Sequence, residues 1–331
     1  MQIYGFTVNN ETVDPVADGV NLTVGSTLLA QARDTSEVEL ILAGDEPLTR
    51  AASLSGQDPD HLVLDASGLS FACPLDLAGM VAWAHWAANG SVQVTLKMPR
   101  EPAVGSYLQR MDVLRHLPSR SRIVGRIPPD SRNDQSGSLL EVTALNPGNV
   151  DDLAERLGPL VMGFYGDDKE AGSAVLRACG ELMGNATEHG SSPRGAFMAA
   201  QLHTGTTTDG PRLEFAVCDT GIGVLRHLRQ NPRYAHYTHD KHAIARATKA
   251  GVSGVRDDDR GNGLSDLIED ARQVGAVTLH IRSGKGEVRV LGTSVECRRV
   301  LTDLPDETVG TWAWLTHRLT AERESMVQSK K

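Results

Sequence analysis

The segment 181–190, ELMGNATEHG, places Glu181 and Asn185 four residues apart, in a stretch whose apolar residues recur at helical spacing. Side chains four residues apart lie one above the other on a helix, so these two polar groups would share one face beside the apolar stripe. An amide oxygen is a suitable hard ligand for Mg²⁺, and a carboxylate one turn away can orient or deprotonate an attacking water or hydroxyl group. A partly solvated helix edge would show the same pattern, so the chemistry depends on what the rest of the chain supplies.

Two glycine-bearing segments lie downstream of this helix. The apolar strand RLEFAVCD runs directly into Asp219, Gly221 and Gly223, and a second segment, RGNGL, contains Gly261, Asn262, Gly263 and Leu264. Glycines allow the backbone to approach a ligand closely, and a helix that begins at such a segment directs free N–H groups toward phosphate. A carboxylate at a strand end can accept a hydrogen bond from an exocyclic amine. Each segment alone also occurs as an ordinary turn, but the ordered set indicates a nucleotide site.

These motifs resemble the GHKL ATPase domain shared by gyrase, heat-shock chaperone, histidine kinase and mismatch-repair proteins. The resemblance covers about residues 138–320 and includes all four motifs of that domain in order. The matching residues are Glu181 and Asn185 in the asparagine box, Asp219, Gly221 and Gly223 in the first glycine box, Gly261 and Gly263 in the second, and Gly310 and Thr311 in the closing Gly-Thr pair. The segment ELMGNATEHG most resembles the anti-sigma-factor serine kinase branch.

The resemblance implies a nucleotide site with defined roles. Asn185 would coordinate a Mg²⁺ ion that bridges the ATP phosphates, Asp219 would bind the adenine amine, and Glu181 would be the catalytic residue that acts on the nucleophile. The remaining nucleotide-binding residues would be Gly221, Gly223, Gly261, Asn262, Gly263, Leu264 and Thr311. The resemblance also implies a Bergerat-type α+β sandwich with a mixed sheet, and a mobile lid formed by residues 224–260.

Two features depart from the wider superfamily. The lid segment carries four histidines, and its stretch HYTHDKH has metal-like spacing, but a solvated lid is the preferred interpretation. The sequence ends soon after GTWAWLTHRL. We therefore expect no following domain with the transducer lysine of the gyrase, chaperone and mismatch-repair branches. We also expect no helical hairpin with a phosphoacceptor histidine before the ATPase domain.

The front half resembles a STAS domain, the fold of anti-sigma-factor antagonists. The matched part is residues 61–117, especially the segment DASGL that begins at Asp65, followed by Phe71. Where that family places a phosphorylatable Asp-Ser-Ser, this chain has Cys73-Pro74-Leu75. Proline and leucine have no hydroxyl group, so the phosphorylation switch is expected to be lost. Ser67 and Ser70 lie nearby, where a capping role in the strand-end turn is the better interpretation.

The pattern of elements predicts an α/β protein with two units. We expect a STAS-like docking domain over residues 1–118, a linker over 119–137, the ATPase domain over 138–320 and a flexible tail over 321–331. The stretch AVGSYLQRMDVLRHL is expected to form one helix. Asp167 and Glu170 have the spacing of a capping box for the helix that carries Glu181.

Composition excludes several functional classes. The 331 residues have a formal net charge of −9, which argues against a nucleic-acid binder with a broad basic face, although a local basic patch remains open. The four cysteines are scattered, as expected for reduced thiols in a cytoplasmic protein. The chain start lacks the pattern of a signal peptide, and the longest apolar stretch is interrupted by charged and polar residues, so no membrane association is expected.

Three functional interpretations follow. The first is a partner-switching regulator that uses Mg²⁺ and ATP, with serine or threonine phosphotransfer to, or ATP-dependent binding of, a protein partner. That partner would be a sigma factor, a STAS protein or an operon neighbour, and a homodimer is possible. The second is an ATPase without kinase activity whose nucleotide state drives conformational change or assembly in a stress or defence system. The third is a nucleotide-binding interaction module without catalysis.

Overall fold

The computed structural model describes residues 8–9, 37–41, 60–130, 133–188, 195–203, 211–249, 275–293 and 295–319. The strands in these ranges form two five-stranded sheets, one largely parallel and one antiparallel. The chain is therefore of mixed α/β class, as the sequence predicts. Among the described residues, no helix is long and apolar enough to cross a membrane.

The front sheet has the strand order β1-β2-β3-β4-β5, in which only β1 and β2 pair antiparallel. Its elements are β1 (Val8–Asn9), β2 (Glu37–Ile41), β3 (His61–Asp65), α1 (Pro74–Asn89), β4 (Gln93–Lys97), α2 (Pro102–Arg110), α3 (Val113–His116) and β5 (Arg122–Val124). Helix α1 joins the parallel strands β3 and β4, and it ends at Gly90 as expected from the sequence. Strand β5 lies inside the segment 119–137 that the sequence analysis treats as a linker.

The stretch AVGSYLQRMDVLRHL does not form one helix, so that prediction is wrong. It is divided into α2 and α3 at Asp112, whose φ of 60° lies in the left-handed region. Met111 is fully buried, and its carbonyl group accepts a hydrogen bond from the N–H of Val142 at 3.0 Å. This long-range packing fixes the break, and a helical periodicity cannot reveal it.

The back sheet has the strand order β6-β7-β8-β10-β9, and all four pairings are antiparallel. Its elements are β6 (Leu139–Leu145), α4 (Val150–Tyr165), α5 (Lys169–Glu188), β7 (Ala196–His203), β8 (Arg212–Asp219), α6 (Val224–Leu228), a 3₁₀ helix (Pro232–Tyr234), α7 (Asp240–Ala247), β9 (Gly275–Gly292) and β10 (Cys297–Leu319). The mixed sheet expected for this half is therefore not found among the described strands. Two helices, α4 and α5, connect β6 to β7. The first leads the chain away from the end of the sheet at which β6 finishes, and the second leads it back to that end. Strand β7 therefore runs antiparallel to β6.

Side chains on the back sheet alternate between two buried faces. On β7 and β8, Phe197, Ala199, Ala216 and Cys218 belong to the hydrophobic cluster around α1. Their neighbours Met198, Ala200, Phe215 and Val217 belong to a second cluster with α4 and α5. A sheet covered on both faces is expected to show such apolar residues at consecutive positions.

Helix α1 lies between the two sheets. It packs against β3 and β4 on one side and against β7 and β8 on the other. Twelve of its sixteen residues are buried, which explains why the helix is apolar all round and lacks a polar face. The chain thus builds four layers: the front sheet, the layer of α1, the back sheet, and the helix pair α4 and α5.

Candidate functional site

Asp219 is the last residue of β8 and one of the most buried carboxylates of the described chain, with 3% of its surface exposed. The alternation along β8 places its side chain on the same face as Phe215 and Val217, which is the face that α5 covers. Asp219 is paired with Ala196, the first residue of β7. The sequence prediction that this strand ends at Asp219 is therefore confirmed.

The carboxylate of Asp219 is held by backbone groups. Its Oδ1 accepts a hydrogen bond from the N–H of Gly221 at 2.8 Å, and the N–H of Thr311 donates to the same carboxylate. Burial nevertheless raises the pKa of Asp219 to about 7, although both N–H groups lower it. Among the described residues, no lysine or arginine forms an ion pair with it. A buried carboxylate with acceptor capacity to spare is suited to a ligand that donates an N–H group.

Gly310 is required by the close approach of Asp219. Its φ is +73°, and a Cβ atom at this position would lie 2.1 Å from the carbonyl oxygen of Asp219 and 2.7 Å from Oδ1. Gly223 has a φ of +76°, and a Cβ there would lie 2.8 Å from Oγ of Ser283. These two glycines therefore let β9 and β10 pack closely against the end of β8 around one carboxylate.

Ser283, in the interior of β9, joins β10 to the segment that follows β8, and none of the sequence predictions includes it. Its buried hydroxyl accepts a hydrogen bond from the N–H of Val224 at 2.9 Å and donates to the carbonyl oxygen of Gly310 at 2.7 Å. Thr311 Oγ1 lies 3.4 Å from the same hydroxyl. No motif marks this serine. The only signal is that a hydroxyl takes the inward-facing position after the buried Val277, Leu279 and Ile281 on β9.

Glu181 and Asn185 lie on successive turns of α5. The buried face of these turns is made of Leu182, Met183 and Ala186, whereas Glu181 is half-buried and Asn185 is exposed. The chain leaves α5 at Glu188 and enters β7 at Ala196, the partner of Asp219 in the sheet. The C-terminal turns of α5 therefore lie at the same end of the sheet as Asp219.

The proposed capping box of α5 is wrong by one residue. Asp168, the residue directly before the helix, accepts a hydrogen bond from a backbone N–H of the first turn, that of Ala171, at 3.2 Å. Helix α5 accordingly begins at Lys169. Two adjacent aspartates give the same sequence signal, and only the backbone conformation selects between them.

The second glycine segment, with Gly261, Asn262, Gly263 and Leu264, lies outside the described residues. The described part of the predicted lid, residues 224–249, contains α6, the 3₁₀ helix and α7, and α7 packs on β9 and β10. His236, His239 and His242 line a surface groove beside α7. No three His, Cys, Asp or Glu side chains in the described part of the chain are grouped to hold a metal ion.

The residues that replace the STAS phosphosite are inaccessible. Cys73, Pro74 and Leu75 form the buried start of α1, and the carboxylate of Asp76 accepts a hydrogen bond from the N–H of Cys73 at 2.9 Å. Burial raises the pKa of the Cys73 thiol well above its usual value. The N–H of Ser67 donates to Asp65 at 2.8 Å, as expected for a turn-forming residue.

A comparison with models of known protein families finds no match to this chain, and neither does a comparison with curated protein sequences. The functional assignment therefore depends on the site itself. The exposed amide oxygen of Asn185 is a chemically suitable ligand for Mg²⁺. The buried carboxylate of Asp219, which lies among glycines, is chemically suitable for adenine.

Proposed function

We propose that the chain binds Mg-ATP at the end of the back sheet and acts as a partner-switching regulator of the histidine kinase-like ATPase superfamily. The observation that carries this proposal is Asp219, a buried carboxylate whose neighbours are backbone N–H groups and glycines. Keeping a charge away from water without a cation is unfavourable, and buried carboxylates of this kind cluster at functional sites. The exocyclic amine of adenine would donate a hydrogen bond to this carboxylate, which can accept more than the two backbone hydrogen bonds it already has.

The chain's own residues would have separate roles in phosphotransfer. Asn185, whose amide is exposed on α5, would hold the magnesium ion, and that ion would supply charge neutralisation at the phosphates. Glu181 would accept the proton of a serine or threonine hydroxyl on the partner. The hydroxyl oxygen forms a bond to the γ-phosphorus while the bond to the leaving oxygen breaks, and ADP departs with that electron pair. The leading chemistry is therefore transfer to a partner protein rather than to this chain.

The buried start of α1 supports the view that the phosphoacceptor lies on a separate protein. Pro74 and Leu75 have no hydroxyl group, and Cys73 is buried between the sheets. The front module would then serve as a docking domain that is not itself phosphorylated at residues 73–75.

The test is incubation of the protein with labelled ATP and the products of neighbouring genes, with detection of the protein that receives phosphate. A parallel pull-down from cell extract uses ATP, ADP or no nucleotide. The proposal predicts a partner enriched differently among the three conditions, and it requires that the partner change nucleotide affinity by the same factor. Equal enrichment in all three would contradict partner switching and leave a stand-alone ATPase.

The position of α1 favours one second candidate, an ATPase in which nucleotide drives a conformational change. Helix α1 packs directly on β8, the strand that ends at Asp219, and Trp83 of α1 lies 5.7 Å from Trp312 of β10 between ring centroids. A shift of β8 and β10 on nucleotide binding would reach the front sheet through the single layer that α1 forms. ATP hydrolysis without phosphate transfer to any protein would favour this candidate.

A further inference from the structure

The segment 224–249 differs in charge from the rest of the chain. It contains six arginine or lysine residues and one aspartate, whereas the whole chain has a formal net charge of −9. It follows Gly223 directly, and its first N–H, that of Val224, is bonded to Ser283 of the candidate nucleotide site. A strongly basic surface therefore adjoins that site on an otherwise acidic protein.

This basic surface stands on a packed scaffold. Leu228, Tyr234 and Ala243 form a small hydrophobic cluster of their own, and Ile244 of α7 reaches the main core beneath the back sheet. The carboxylate of Asp240, the only acidic residue of the segment, is directed toward β9, where it accepts a hydrogen bond from the N–H of Lys285 at 3.0 Å. The cationic side chains are thus held on the outer side of an ordered element.

Most of these cations have no carboxylate partner in the described part of the chain. Lys241 forms an ion pair with Asp303. The other cationic side chains, for which no ion pair is found there, are Arg226, Arg229, Arg233, Arg246 and Lys249. The guanidinium groups of Arg233 and Arg246 lie 5.7 Å and 5.6 Å from the ring centroid of Tyr234, which orients both of them.

A groove runs along this surface. Its volume is about 430 Å³, and its lining includes His236, Thr238, His239, His242, Arg246 and Lys249. Two permanent cations, three imidazoles and a hydroxyl are donors suited to carboxylate groups. The pair Lys241–Asp303 shows that α7 already accepts a carboxylate from β10.

The same donors could attract nucleic acid, but two observations favour a protein. Tyr234, which the arginines cover, is buried, so it offers no platform on which a base could stack. The chain also carries an excess of negative charge, which opposes a long polyanion that extends beyond this small surface. A short acidic segment would meet only the basic surface.

We propose that the basic face, formed by the unpaired cationic side chains and the groove-lining side chains of residues 224–249, binds an acidic segment of the partner protein. The identity of that partner as a regulated protein rests on the proposed function, whereas the binding itself does not. This face begins directly after Gly223, in the glycine segment next to Asp219. Nucleotide and partner would therefore contact neighbouring parts of the same chain segment.

The experiment measures binding of a fluorescein-labelled peptide of alternating Glu and Asp by fluorescence polarisation at low salt, without nucleotide. The charge-reversed variant Arg246→Glu/Lys249→Glu is expected to bind the peptide about tenfold or more weakly, because two attractive contacts become repulsive. The matched control, Arg120→Glu/Lys169→Glu, changes the net charge of the chain equally at exposed sites on other elements and should change affinity by less than about threefold. Lys249→Glu alone should act in the same direction, since its side chain is exposed and its loss leaves the core intact.

A Gln-Asn peptide of equal length and a single-stranded oligonucleotide serve as comparison probes. The inference is overturned if the acidic peptide does not bind, if both double variants weaken it equally, or if the oligonucleotide binds more tightly than the peptide. A fall in ATP affinity in Arg246→Glu/Lys249→Glu would assign these side chains to the nucleotide and would also overturn it. Asp219→Asn separates the two proposals: peptide binding should persist in this variant even if nucleotide binding is lost.

Discussion

Replacing Asp219 by asparagine should change how the stability of the nucleotide-free protein depends on pH. The pKa of Asp219 is about 7 in the folded protein, against 3.8 for an ordinary aspartate. Between these values the folded protein binds a proton that the unfolded chain does not. The stabilisation linked to this proton is fully present below pH 3.8 and is lost as the pH rises through about 7.

The expected size follows from these two pKa values. Raising the pH from about 5 to about 8 should lower the free energy of unfolding of the wild type by about 2.5 kcal/mol through this group alone. Asparagine does not titrate, so Asp219→Asn should lack this component and should gain stability relative to the wild type as the pH rises. Other carboxylates whose pKa values are lowered, such as Glu214 and Glu287, are common to both proteins and cancel in the difference.

The assay is urea unfolding of both proteins at the two pH values, followed by fluorescence of the buried tryptophans. The wild type should lose more stability than Asp219→Asn between pH 5 and 8, by about 2.5 kcal/mol. Parallel pH dependence, with a difference below about 0.5 kcal/mol, would refute the reasoning that burial outweighs the two backbone hydrogen bonds and raises the pKa of Asp219.

Three further predictions concern the same end of the sheet. Glu181→Ala should lower ATP turnover by about two to four orders of magnitude while ATP still binds, and isothermal calorimetry with a turnover assay separates the two effects. Asn185→Ala should lose magnesium-dependent ATP binding together with turnover, and wild-type affinity in this variant would exclude it as a ligand. Gly310→Ala should destabilise the fold by more than about 2 kcal/mol, because the added Cβ would meet the backbone of Asp219 at 2.1 Å. Gly163→Ala, which faces open space within α4, is the matched control and should be neutral or stabilising.

The local sequence pattern was sufficient to predict the helix and the strand that carry the candidate site. The apolar stripe predicts the helix that bears Glu181, and the run RLEFAVCD predicts a strand that ends at Asp219. Both follow from short-range periodicity, which the chain retains whatever the tertiary arrangement. A glycine is required at position 310, in the closing Gly-Thr pair, because a Cβ atom there would collide with the backbone of Asp219.

Contacts between residues that are distant along the chain could not be predicted from the sequence pattern. The apolar stretch of α1 is typical of a buried helix, but nothing in it indicates that it lies between two sheets. Ser283 is selected by contacts with Val224 and Gly310, which are distant along the chain. The break at Asp112 depends likewise on the burial of Met111.

The most direct test of the central claim is a calorimetric titration of the wild type with ATP and with GTP, in excess Mg²⁺. The account predicts that ATP binds and that GTP binds at least about a hundredfold more weakly, because guanine presents a carbonyl acceptor where adenine presents an amine donor to Asp219. Equal affinity for the two nucleotides, or no binding of ATP, would contradict the assignment of Asp219 as the group that recognises adenine.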